Sequence, residues 1–160
     1  MRTLEPTRDG QRYEVIDGRL HITGPQPPIH HAAVVALMIQ LKSACPPDLM
    51  VAVGSIPFRP APHTTLRPDL LICPRDHPVS SPPLLVIEVL SPTTHTTDIV
   101  LKRALYEHHN VPSYWHYDPT HQELTALSLT PTGYTCEAVV QAPESFHTTT
   151  PFPVTLTLTP

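Results

Sequence analysis

The sequence predicts an α+β fold in which a central sheet is combined with two principal helices. Three observations support this prediction: short apolar runs bounded by proline or turn residues, two longer segments with helical spacing, and a lack of repeats or composition boundaries. Prolines, 22 among the 160 residues, separate many of the apolar runs. We therefore expect a single domain over residues 1–160.

A β-hairpin is predicted at the start of the fold, over residues 12–23. Asp17-Gly18 stands there between two β-prone arms, and Asp-Gly in this setting is the strongest short hairpin signal. A helix is then predicted over residues 29–45, which ends at Pro46-Pro47. Its apolar stripe is predicted to comprise Ala33, Leu37, Leu41 and Ala44.

Further strands are predicted where apolar or alternating runs lie between turn or proline signals, at residues 49–53, 55–58, 69–73, 84–90, 113–117, 123–129 and 154–158. A second helix is predicted over residues 94–110, with Thr96 or Thr97 as its N-cap and Pro112 beyond its end. Its buried arc is predicted to comprise Val100, Leu101, Ala104, Leu105 and His108, with Lys102 at the border.

Charge and cysteine content limit the classes of function. A net charge of −4 and a pI near 6.2 argue against a general basic coat, so any contact with DNA or RNA is expected to be local. Three widely spaced cysteines without a CxxC pair predict reduced thiols. The first residues show no secretion signal, and no run approaches the roughly 18 apolar residues of a membrane span. We therefore expect a cytoplasmic protein without membrane contact.

Two carboxylates are the strongest candidates for chemistry. Glu88 lies within LLVIEVL, a run typical of a strand buried on both faces, where an unpaired charge would cost several kcal/mol. Asp69 opens the preceding long run directly after Pro68, so neighbouring strands could bring both acids to one place. A divalent cation between them is one means of neutralisation, and a buried ion pair of Glu88 with Lys102 or Arg67 is another.

Several candidates also have a purely structural interpretation. Asp69 alone is typical of a turn after proline, and Glu14 could equally be a solvent-facing hairpin residue. Tyr106, Tyr114 and Trp115 favour packing over base stacking, because the aromatic residues are not interleaved with basic ones. The adjacent histidines point about 100° apart on a helix, which favours surface or capping roles over a zinc site.

An ordered set of motifs points to a known family. RPDLLIC, LLVIEVLSPTT and DIVLKRALYEHHNVPSYWHYDP resemble the PD-(D/E)XK nuclease superfamily and, within it, the Uma-two branch of predicted restriction endonucleases. The resemblance covers nearly the whole chain and includes YEVIDGRL near the N-terminus and a closing strand at Gly133-Tyr134. It implies a restriction-endonuclease-like mixed β-sheet flanked by helices. PD alone is a weak motif, whereas the ordered set is specific.

Carried over by position, the resemblance implies a site for Mg²⁺ (or Mn²⁺). Asp69 and Glu88 would be metal ligands, with the backbone carbonyl of Val89 as a third. The lysine that the superfamily carries two residues after the glutamate is replaced by Leu90, and Lys102 on the following helix takes its place. Supporting roles are implied for Glu14 through a water, for His31 of the His30-His31 pair at the first helix, for Asp98 as the i, i+4 partner of Lys102, and for Tyr106 as a pocket residue.

The activity implied by the resemblance is Mg²⁺-dependent endonucleolytic hydrolysis of phosphodiester bonds in nucleic acid, with DNA as the preferred substrate. Lys102 would orient the attacking water or offset negative charge. Two other functions stay open: a catalytically silent binding or regulatory module that keeps the scaffold, and a metal-dependent hydrolase of a smaller substrate such as a nucleotide. Superfamily members that cut both strands commonly pair, so a homodimer is a further expectation.

Overall fold

The computed structural model describes residues 10–54 and 56–158. In chain order the elements are β1 (Arg12–Ile16), β2 (Arg19–Thr23), α1 (Pro28–Ala44), β3 (Leu49–Val53), β4 (Phe58–Ala61), β5 (Thr64–Leu66), β6 (Leu70–Pro74), β7 (Leu85–Val89), α2, β8 (Ser113–Asp118), β9 (Glu123–Thr130), β10 (Gly133–Gln141), β11 (Ser145–Thr148) and β12 (Val154–Thr157). Helix α2 consists of a π-helical segment, Thr97–Lys102, followed by an α-helical segment, Arg103–His108.

A six-stranded sheet with the order β10-β9-β8-β7-β6-β3 forms the centre of the fold. Strands β7 and β8 are parallel, because α2 connects them as a crossover, and the other neighbours in this sheet are antiparallel. A second sheet has the order β2-β1-β5-β4, and β11 pairs with β12. The predicted α+β class, mixed sheet and N-terminal hairpin are confirmed.

The two faces of the six-stranded sheet are covered by different elements. Along β7, Leu85, Ile87 and Val89 belong to the core beneath α1 and β12. Val86 instead belongs to a second core, which β1, β4, β5 and α2 complete. Since side chains alternate along a strand, Glu88 faces the same side as Val86, toward the hairpin sheet and α2.

The hairpin turn has the backbone that its sequence predicts. Asp17 and Gly18 adopt φ values of 49° and 79°, the two positive angles that a two-residue type I′ turn requires. The N–H of Gly18 also donates to the carbonyl oxygen of His63, at 2.8 Å, which ties the turn to the loop before β5. This contact helps to fix β1 against β5, and β1 carries two residues of the site described below.

Helix α1 agrees with its prediction apart from one residue. It starts at Pro28, where the missing N–H of a proline costs nothing, and it ends at Ala44 before Pro46. The buried stripe includes Ala33, Leu37 and Leu41, whereas Ala44, the last residue of the helix, is exposed.

The predicted buried face of α2 is wrong. Val100 and Leu101 are 60% and 36% exposed, and Ala104 and His108 also face solvent, while Leu105 is half-buried. The buried side chains are Asp98, Lys102 and Tyr106. Two physical reasons account for the difference. The i→i+5 bonding of the π-helical segment changes the angular spacing that the prediction assumed, and the charged residues are buried because they pair with one another.

Several strand boundaries also differ from the prediction. The strand predicted at 55–58 is β4, which begins only at Phe58, and Ser55 lies outside the described residues. Asp69 precedes β6 instead of opening it. Strands β5 and β11 were not predicted, and β10 was indicated only by its first residues, Gly133-Tyr134. In the part of the chain that the structure describes, no helix is long and apolar enough to cross a membrane.

Candidate active site

Asp69 and Glu88 lie opposite each other on neighbouring strands. Strands β6 and β7 are antiparallel, with Leu70 opposite Ile87. Asp69 directly precedes Leu70 and Glu88 directly follows Ile87, so the register places the two acids as cross-strand neighbours. The backbone N–H of Val89 donates to Asp69 Oδ2, at 2.8 Å, which joins the strands at this point. The predicted convergence of these two acids is present.

Asp69 is a buried carboxylate with three donors around it. Its Oδ1 accepts from Arg12 Nη2 at 2.5 Å, and its Oδ2 lies 3.2 Å from His30 Nε2 in addition to the Val89 N–H. Burial alone would raise the pKa of Asp69. The hydrogen bond from His30 and the charge of Arg12 outweigh it and hold that pKa well below its usual range. Asp69 is therefore ionised at neutral pH.

Glu88 is completely buried and its two oxygens differ. Oε1 accepts a hydrogen bond from Tyr106 Oη, at 2.7 Å, and another from Lys102 Nζ, at 3.2 Å. Oε2 is buried and accepts no hydrogen bond from the residues that the structure describes. Burial, opposed by Lys102 and reinforced by repulsion from Asp98 and Asp69, raises the pKa of Glu88 to about 8.

Lys102 contacts three carboxyl groups at once. Its Nζ lies 3.0 Å from Glu14 Oε2, 3.2 Å from Glu88 Oε1 and 3.3 Å from Asp98 Oδ1. Burial would lower the pKa of Lys102, but these three carboxylates raise it well above its usual 10.5. Lys102 is therefore a permanent ammonium, and it is the ion-pair partner that the buried Glu88 requires.

The site therefore centres on a charged cluster formed by Arg12, Glu14, Asp69, Glu88, Asp98 and Lys102. Glu14 is 4% exposed, so its solvent-facing interpretation is wrong. Its Oε1 accepts from the backbone N–H of Arg67, at 2.7 Å. Tyr106 touches Glu88 and also packs on Tyr114, whose hydroxyl donates to the backbone carbonyl of Asp98, at 2.9 Å.

The histidine at the site is His30, and the prediction of His31 as a pocket residue is corrected accordingly. His30 is buried against Asp69, whereas His31 is exposed. Helical spacing contained this signal, because His30 lies three and seven residues before the buried Ala33 and Leu37. Arg12 was also missed, although its alternation with Glu14 along β1 places both side chains on one face of the strand.

The donors available to a divalent cation at this site are carboxylate oxygens. Mg²⁺ prefers oxygen ligands and commonly uses one or two carboxylates together with water. Glu88 Oε2 suits this chemistry, because it is a buried carboxylate oxygen that no hydrogen bond satisfies. Among the described residues, no three His, Cys, Asp or Glu side chains are arranged to hold a metal ion. Glu88 thus offers a free oxygen to a cation, whereas both oxygens of Asp69 already have partners. A zinc site of three or more such side chains is not formed by the described residues.

Replacing Glu88 with glutamine should change how stability depends on pH. The pKa of Glu88 is about 8 in the fold against its ordinary 4.5, so the folded chain keeps a proton that the unfolded chain releases across this interval. The free energy of unfolding contributed by this group therefore falls as the pH rises. In EDTA, Glu88→Gln should gain stability relative to the wild type between about pH 5 and about pH 9 in urea unfolding. If the unfolding free energies of Glu88→Gln and the wild type differ by the same amount at both pH values, this assignment is contradicted. Glu137→Gln, at an exposed position, is the control.

Comparisons with known proteins agree with the motif analysis. The family model Uma2, described as "Putative restriction endonuclease", matches residues 1–160. A crystal structure of a "putative nuclease belonging to DUF820" from Anabaena variabilis ATCC 29413 is similar, with a TM-score of 0.68 and 16% identity, over 88% of this chain and 81% of that chain. At this identity the likeness concerns the fold, and it supports the predicted nuclease-like architecture. No curated protein matches the chain.

Proposed function

Because the chain belongs to the Uma2 family, as its motifs predicted, we propose that it is a metal-dependent endonuclease that hydrolyses phosphodiester bonds in nucleic acid, with DNA as the preferred substrate. The observation that supports this proposal is the placement of Asp69 opposite Glu88, with a free carboxylate oxygen on Glu88 and a permanent ammonium beside it. An arrangement of acids around a cation is what phosphodiester hydrolysis by a carboxylate-bound metal requires.

In this proposal, Asp69 and Glu88 hold Mg²⁺ or Mn²⁺, with the carbonyl of Val89 as a third ligand. The bound ion supplies a water of lowered pKa and stabilises charge on the phosphoryl oxygens. Asp69 is suited to its role because it is already ionised, whereas Glu88 must release its proton when it becomes a ligand. Metal affinity is therefore expected to rise with pH up to about 8.

Lys102 has a more restricted role than the sequence suggested. An ammonium has three N–H donors, and three carboxylates surround this one at 3.0 to 3.3 Å. It is also 2% exposed, so it cannot reach a nucleic acid from this position. We therefore assign Lys102 as a positioning residue that holds Glu88 and stabilises its ionised form.

A catalytically silent binding module remains the second candidate function. It is favoured by the full engagement of Asp69, whose oxygens already contact Arg12, His30 and Val89. The acidic net charge of −4 also favours it, since a nuclease must hold a polyanion. Simultaneous cleavage of both strands of a duplex uses two sites, so pairing of two copies belongs to the nuclease proposal.

The test is hydrolysis of plasmid DNA, single-stranded DNA, RNA and nucleotides side by side, with Mg²⁺, with Mn²⁺ and with EDTA. The nuclease proposal expects metal-dependent cleavage of a polynucleotide, most rapidly of DNA, and no cleavage in EDTA. Release of products from nucleotides alone would support a small-substrate hydrolase. Intact substrates under every condition would favour the silent module.

A further inference from the structure

Arg12 differs from the other members of the charged cluster in its access to solvent. Its side chain is 21% exposed, whereas those of the other five members are exposed by 5% or less. Arg12 therefore lies at the mouth of the cluster, between solvent and Asp69. An ion or phosphate that approaches the acids from this side therefore meets the side chain of Arg12.

The guanidinium contacts the oxygen of Asp69 that takes no part in the hydrogen bond joining the two strands. Asp69 Oδ2 is held by the backbone N–H of Val89 at 2.8 Å and by His30 at 3.2 Å. Oδ1 has Arg12 as its partner, at 2.5 Å. An ion that binds Oδ1 on the side where Arg12 lies, and leaves the strand-joining hydrogen bond of Val89 intact, therefore competes with Arg12 for this oxygen.

The charge balance of the cluster identifies the same residue. Four carboxyl groups surround the two cations, Arg12 and Lys102. Removal of Lys102 from its place would leave Glu14, Glu88 and Asp98 unpaired in a buried environment, which is strongly unfavourable. A divalent ion that displaces Arg12 supplies positive charge in its place, and water can solvate the released Arg12 side chain.

We propose that Arg12 is an exchangeable cation: it competes with the divalent metal for Asp69 Oδ1, and after displacement it binds a phosphate of the nucleic acid. This inference rests on the proposed function. The planar guanidinium matches a phosphate with two parallel hydrogen bonds, and Lys102 is too enclosed to do the same. In a chain with a net charge of −4, a cation at the mouth of the site provides the local contact that a polyanion needs.

The experiment compares Arg12→Gln with the wild type in two titrations. Isothermal titration with Mn²⁺ should show tighter binding by Arg12→Gln, by about tenfold or more, because the competing charge is removed. In saturating Mn²⁺, the same variant should bind a phosphorothioate DNA oligonucleotide, which resists hydrolysis, more weakly by about tenfold. Arg67→Gln is the matched control, because it removes a positive charge two residues before Asp69 and keeps the backbone hydrogen bond to Glu14. It should change either affinity by less than about threefold.

The outcomes separate this inference from the proposed function. Wild-type binding of Mn²⁺ with equal or weaker binding by Arg12→Gln would overturn the role of Arg12 and leave the metal-dependent nuclease standing. No Mn²⁺ binding by either protein would overturn both. If circular dichroism shows that Arg12→Gln does not fold, Arg12→Lys takes its place, since a lysine lacks the planar fork. It should also bind Mn²⁺ more tightly than the wild type, and equal affinity would overturn the inference.

Discussion

Replacement of Lys102 with methionine is expected to lower the free energy of unfolding by about 3–5 kcal/mol at pH 8, the cost of removing one partner from a buried ion pair. Methionine keeps much of the side-chain volume, so the loss reports charge and not a cavity. Glu14, Glu88 and Asp98 would all lose the ammonium that lies 3.0 to 3.3 Å from them. Replacement of a solvent-exposed lysine should not reproduce this loss of stability.

Urea unfolding of Lys102→Met and Lys42→Met measures this difference. Lys42, the other lysine of the chain, is exposed near the end of α1, and its replacement should change stability by less than about 0.5 kcal/mol. The pKa of Lys102 in the fold lies above its unfolded 10.5, so titration of Lys102 itself reduces its contribution only as the pH rises through the folded value. Below neutral pH the deficit of Lys102→Met should shrink for another reason: burial raises the pKa of Glu88 and of Asp98, so these two groups become protonated and no longer need a cation. Equal effects of the two replacements would contradict the ion-pair account.

Replacement of Asp69 with asparagine is expected to lower the rate of phosphodiester hydrolysis by at least about 100-fold, because a neutral amide is a poor ligand for a hard cation. The amide oxygen of asparagine can still accept from the Val89 N–H, so the strand pairing at this point should survive. The replacement should therefore lower the rate of hydrolysis and the affinity for Mn²⁺. The far-ultraviolet circular dichroism spectrum should stay close to that of the wild type.

Asp76→Asn is the matched control for this replacement, since Asp76 is exposed in the turn that follows β6. It should hydrolyse DNA at nearly the wild-type rate. Retention of activity by Asp69→Asn, with Asp76→Asn equally active, would remove Asp69 from the proposed metal site.

Local sequence patterns predicted most of the central fold. The strands β6 to β9 and the helix α1 come from apolar runs bounded by prolines, and such runs depend little on distant contacts. Strands β5 and β11 were missed because they are only three and four residues long. The face of α2 was misassigned because hydrophobic periodicity assumes that charges face water. Here Asp98 pairs with Lys102 on the same helix, and Lys102 is buried because it also pairs with Glu88 and with Glu14, which lies far earlier in the sequence.

The main residues of the site were also predicted from the sequence, but from its motifs and not from hydrophobic patterns. Asp69, Glu88 and Lys102 were found from the order and spacing of motifs, and the structure brings them together. Arg12 was missed and His31 was preferred to His30 because the importance of Arg12 and His30 comes from the tertiary contact with Asp69, 57 and 39 residues away. Local patterns indicate which face of β1 or α1 a side chain occupies, whereas pairings over such distances are set by the packing of these elements against the sheet.

The most direct test of the metal site is anomalous diffraction from crystals soaked in Mn²⁺. The expected result is a manganese peak in contact with both Asp69 and Glu88, with the guanidinium of Arg12 moved away from Asp69. A map without manganese at these two carboxylates, in which Arg12 keeps its contact with Asp69, would contradict the proposed site.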